Sequence, residues 1–104
     1  MERFIKKSTK EVVYALKCER KSKHGHEVID DIGSLLAATE KPLDNIFFDI
    51  DKDKDLNKVF IVTLPAYKVK IPEGHFIVKT EDGNVFSCHP GRFHFEFKPE
   101  IKKN

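Results

Sequence analysis

From Ile61 to Glu100, short apolar runs alternate with turn residues at Pro65, Pro72-Glu73-Gly74, Asp82-Gly83-Asn84 and Pro90-Gly91. Runs of this length and spacing predict strands joined by tight turns. The stretch VFIVTL, Val59 to Leu64, is β-branched and aromatic nearly throughout, which predicts a strand central in its sheet. Tyr67, Val69 and Ile71 alternate with Lys68 and Lys70, the pattern of a strand with one wet face. His75 to Thr80 and Val85 to His89 flank Asp82-Gly83-Asn84 and predict a hairpin. Phe93, Phe95 and Phe97 alternate with His94 and Glu96, so period two predicts a closing strand. The whole segment reads as one continuous meander.

Upstream, VVYALKC, Val12 to Cys18, predicts a first strand, which Phe4 and Ile5 extend toward the N-terminus. The polar run from Glu19 to His26, with Gly25 inside it, predicts a loop. The period then changes. Between residues 27 and 39, Val28, Ile29, Ile32, Leu35 and Leu36 fall on one stripe of a helix. Glu27, Asp30 and Asp31 occupy its first turns, where carboxylates complement the helix dipole, and Pro42 sets its limit. Asn45 to Ile50 predicts a short strand or buried link, and Asp51 to Lys58 a charged turn. The order β-α-β followed by a meander predicts an α+β fold, with one helix packed on a curved antiparallel sheet or partial β-barrel. A chain of 104 residues with no internal repeat or linker predicts a single domain over 1–104.

Charge excludes more than it selects. Nineteen Lys and Arg against seventeen Asp and Glu leave a net +2, too small for a dominant phosphate-binding field. No apolar run approaches the eighteen residues of a membrane span, and the first residues lack the apolar core of a secretory signal. Both observations predict a cytoplasmic protein that keeps Cys18 and Cys88 as reduced thiols.

Several clusters invite chemistry. Asp49, Asp51, Asp53 and Asp55 echo a calcium loop, but an EF-hand requires glycine sixth and glutamate twelfth. Lys54 and Phe60 stand at those positions. His24, His26, Cys88, His89 and His94, with Cys18, carry zinc-ligating atoms. Yet no Cys-x-x-Cys spacing occurs, and strand alternation sends Cys88 and His89 to opposite faces. No metal and no cofactor are therefore expected. Cys88 beside Ser87 and His89 lacks the glycine-rich turn into a helix that builds an oxyanion hole, so no catalytic residue and no enzyme are expected. Arg92, Phe93, Phe95 and Lys98 form a further candidate, since alternating aromatics beside cations stack single-stranded bases. The plainer use of those rings is the core.

The opening MERFIKKSTKEVVYALK is similar to the basic, β-forming start of a family of small proteins in tailed phages and prophages of Gram-positive bacteria. Downstream, Thr63-Leu64, Pro72-Glu73-Gly74, Phe76-Ile77-Val78, Gly83, Cys88-His89-Pro90, Phe93 and Phe97 follow that family's order of motifs. The chain departs from it with Glu73 inserted in the turn, His75 in place of an acid, and Phe97 where tyrosine is common. The resemblance implies phage origin and brings no catalytic residue with it. It leads us to expect a non-catalytic accessory protein in the host cytoplasm that binds and inhibits or redirects a host protein, such as a defence nuclease or a replication or transcription component. The contact surface expected is the acidic loop Asp49, Asp51, Asp53 and Asp55, or the loop of Arg20, Lys21, Lys23, His24 and His26. The alternatives are a nucleic-acid-binding module and a Cys/His-centred metal protein or enzyme. Either a monomer or a homodimer fits, the dimer pairing through the sheet edge Tyr67 to Ile71.

Overall fold

The computed structural model describes residues 3–19, 26–37, 47–52, 58–64 and 66–100, with 26–29, 37, 47–52 and 58 described by backbone alone. Its elements in chain order are β1 (Arg3–Lys6), β2 (Val12–Lys17), α1 (His26–Ala37), β3 (Phe47–Lys52), β4 (Lys58–Thr63), β5 (Lys68–Pro72), β6 (Phe76–Thr80), β7 (Val85–Cys88), α2 (Pro90–Glu96) and β8 (Phe97–Pro99). The architecture is α+β and mostly antiparallel strand, as the sequence pattern predicts. The described strands form two sheets, with orders β7-β6-β2-β1-β8 and β3-β4-β5. β4 is central in the smaller sheet, as its run of apolar residues requires.

Three expectations are corrected. The meander is not continuous, because the turn after β5 carries the chain from one sheet into the other. At that turn Gly74 adopts φ 92°, and its N–H donates to the Cys18 carbonyl at 2.8 Å. The Cys18 N–H donates in turn to the His75 carbonyl at 2.8 Å. The end of β2 thus captures the start of β6, and the two strands pair from Lys17↔Phe76 to Val13↔Thr80. Second, Phe4 and Ile5 do not extend β2; they lie in β1, which folds back on it in the register Phe4↔Val13. Third, the closing strand expected from Phe93 to Phe97 is the helix α2, and only Phe97 itself begins a strand.

β6 buries both of its faces, with Phe76, Ile77, Val78 and Lys79 all buried. Alternation sorts the core accordingly. Phe76 and Val78 point with Val13, Ala15 and Cys88 toward Phe4, Phe93 and Phe97. Ile77, Cys18 and Val85 point the other way, toward Ile32, Leu35 and Leu36 of α1 and Phe60, Val62, Val69 and Ile71 of the smaller sheet. The five-stranded sheet is therefore a middle layer, covered by α2 on one face and by α1 and the smaller sheet on the other. The sheets also meet at their edges. β5 lies alongside β7, and the Tyr67 hydroxyl accepts the Val85 N–H at 3.0 Å. The edge predicted for pairing across a two-fold axis thus sits against the molecule's own β7.

Candidate functional site

The segment His89-Pro90-Gly91 starts α2. His89 is its N-cap in extended conformation, and its Nδ1 accepts the Gly91 N–H at 3.1 Å. Pro90 fits the first turn because its fixed φ suits a helix and its missing N–H would have no partner there. The Phe93 N–H then donates to the His89 carbonyl at 2.8 Å. One helical step rotates a side chain by roughly 100°, so Phe93 and Phe95 point in nearly opposite directions. Phe93 turns inward. Its ring stacks on Phe76 at 3.9 Å and on Phe97 at 5.1 Å, and meets Phe4 edge-on at 4.9 Å. Phe95 turns outward and is 80% exposed.

This geometry divides the four residues expected to stack bases. Arg92, Phe95 and Lys98 are exposed, Arg92 being ion-paired to Glu96 at 3.3 Å, while Phe93 is buried. A pair of aromatic rings on one strand face is therefore absent at this place. The expected acidic loop is also redrawn, because Asp49 and Asp51 lie within β3, in register with Ile61 and Val59. Lys52↔Lys58 closes that hairpin, so the backbone pairing claims positions expected to be turn. Asp53, Asp55, Arg20, Lys21, Lys23 and His24 lie outside the described residues, and His26 is the first residue of α1.

The Cys and His residues are placed against nucleophilic and metal chemistry. Cys18 has no exposed surface, and burial pushes its thiol up to about 12. Burial likewise raises the Cys88 thiol, and the Glu96 carboxylate adds to the rise against a smaller opposing effect of Arg92. A thiolate is the reacting form, so raising the pKa removes it at neutral pH. His89 and His75 meet edge-on, ring centres 5.0 Å apart. Burial, and then the charge of His89, lowers the His75 pKa. Because the His89 Nδ1 accepts the Gly91 N–H, its neutral ring carries the proton on Nε2. A metal could take that ring only by displacing the proton or the cap. Among the described residues no three His, Cys, Asp or Glu side chains gather as metal ligands would. We expect neither thiol to react with a chromogenic disulfide reagent at pH 8 in the folded protein. Both should react within the mixing time in denaturant, and one fast equivalent under native conditions would contradict the burial.

One feature has no counterpart in the sequence pattern. A cavity of about 670 Å³ opens beside α1 and reaches the aromatic cluster under α2. Phe4, Phe76, Phe93 and Phe97 form its apolar end, and Lys17, Asp31, Ser34 and His94 contribute polar groups. Its walls come from elements far apart in the chain, so no local motif announces it. Among the described residues no helix is long and apolar enough to cross a membrane. Comparison with protein-family models, with curated proteins and with solved structures finds no match.

Proposed function

We propose that this chain acts by binding a protein partner through the outer face of α2, with Phe95 as the anchor. The observation that carries this reading is the 80% exposure of Phe95 on a helix whose opposite side is fixed by the Phe93 ring stack. A rigidly presented aromatic side chain loses little entropy on docking, and aromatic anchors dominate protein interfaces. Arg92 and Lys98 stand exposed nearby and suit the polar rim of such a contact. The partner we propose is a host bacterial protein, inhibited or redirected without catalysis in the host cytoplasm, as the motif resemblance read from the sequence leads us to expect. A nucleic-acid-binding reading retains Arg92, Phe95 and Lys98 but loses Phe93 to the core.

The test is affinity capture from lysate of a Gram-positive host with wild type and Phe95→Ala, both checked by circular dichroism. Truncating an anchor costs about 2 kcal/mol, so the partner's dissociation constant should rise roughly thirtyfold in the variant. Equal capture by both proteins would refute the α2 surface. A salt-dependent shift with single-stranded DNA, lost in Phe95→Ala, would replace protein binding by nucleic-acid binding.

A further inference from the structure

We infer that the cavity beside α1 is a binding site for an uncharged small molecule with a flat apolar body and a hydroxyl or amide head. Its volume, about 670 Å³, falls within the range of small-molecule sites, roughly 300–1,000 Å³. The apolar end is preorganised, since Phe93 is held between Phe76 at 3.9 Å and Phe97 at 5.1 Å and cannot swing to fill the space. Small residues hold opposite walls back. Ala15 lies on β2, where the neighbouring inward position is Val13, and Ser34 lies on α1 beside Leu35. A large side chain at either position would occupy the void.

The polar groups select the head of the ligand. Lys17 and Asp31 bring opposite charges to the same cavity, and Lys17 is already ion-paired to Glu19 at 3.0 Å. An anion would meet the Asp31 carboxylate while the Lys17 ammonium is already committed to Glu19, and a cation would meet that ammonium. Hydroxyl and amide groups, by contrast, can donate to Asp31 and accept from Lys17, and the Ser34 hydroxyl can do either. The apolar end is the rim of the aromatic cluster, which a planar body can meet edge-on at Phe4 and Phe76.

Titration of the full chain with N-phenyl-1-naphthylamine, an uncharged fluorescent aromatic amine, tests this inference. A saturable, blue-shifted signal with one site per chain is expected. Ser34→Trp, at an exposed position where folding tolerates bulk, should weaken binding at least tenfold, and Ser34→Leu should weaken it less. The anionic analogue 8-anilinonaphthalene-1-sulfonate should bind at least tenfold more weakly than the neutral probe. Absence of saturation, or unchanged affinity in both Ser34 variants with native circular dichroism, would overturn the site. Equal affinity for the anionic probe would overturn the uncharged class. Phe95→Ala should leave the titration unchanged, which keeps this test separate from that of the α2 surface.

Discussion

Phe93→Ala is expected to destabilise the protein by about 4 kcal/mol, the middle of the range for truncating a buried aromatic. Phe93 is 1% exposed and touches three other phenylalanine rings: Phe76 with planes 9° apart, Phe97 at 22° and Phe4 at 77°. The loss therefore combines buried apolar area with oriented ring contacts, each of the latter contributing roughly 0.5–1.5 kcal/mol. A helix of seven residues has no stability of its own in water. Its attachment through Phe93 is what keeps Phe97 at the start of β8, which pairs with β1 as Lys6↔Phe97. Against a total stability of about 5–15 kcal/mol, this single change consumes much of the margin. Phe93→Leu keeps an apolar side chain in the stack and should cost roughly half as much. Phe95→Ala, two residues away, should fall within about 0.5 kcal/mol of wild type. Urea unfolding followed by circular dichroism measures all three, and equal costs at 93 and 95 would show that the two rings share an environment.

That contrast explains what the sequence made legible. Three aromatics at alternate positions fit a strand, but Phe93 and Phe97 are also four apart and so share a helix face. Seven residues are too few for periodicity to decide. The deciding signal lay upstream, in a capping side chain at His89 followed by Pro90 in the first helical turn. The helix α1 was legible because Ile32, Leu35 and Leu36 repeat at helical spacing, and all three are buried. Most strands were legible from local pattern as well, β1 and the segment from Phe93 to Phe97 excepted. The division into two sheets was not, because it depends on β2 pairing with β6 across some sixty residues of chain, and no local pattern encodes a partner at that distance. The consecutive apolar residues Phe76, Ile77 and Val78 did carry a hint, since a strand without alternation is one covered on both faces. The site residues fared unevenly for a similar reason. Phe93 and Phe95 look equivalent in the sequence, and their separation into core and surface follows from the helix. The cavity needed the folded walls.

Lys79 carries the second large effect, and its sequence context, a lysine before a polar turn, suggests nothing unusual. It has no exposed surface, and its Nζ donates to the Leu36 carbonyl at 3.1 Å. Leu36 lies in the last turn of α1, where carbonyls lack intrahelical partners and the helix end is partly negative. α1 has no basic residue of its own in that turn, so β6 supplies the cation that α1 lacks. Lys79→Ala should cost about 3 kcal/mol, from the lost stem packing and a buried carbonyl left without this donor. Lys79→Met preserves most of the stem and should cost about 1 kcal/mol near neutral pH. Burial lowers the Lys79 pKa from its ordinary 10.5. Between the folded and unfolded values the unfolded chain binds more protons, so stability attributable to this group rises with pH across that window. The methionine variant lacks the increment, and its deficit relative to wild type should therefore grow as pH is raised toward 10.5. Urea unfolding of both proteins at several pH values above 7 measures it. A deficit that stays flat or shrinks with rising pH would mean that Lys79 holds its charge in the fold as easily as in water. The Leu36 carbonyl and the negative end of α1 would then offset the whole cost of burying that ammonium.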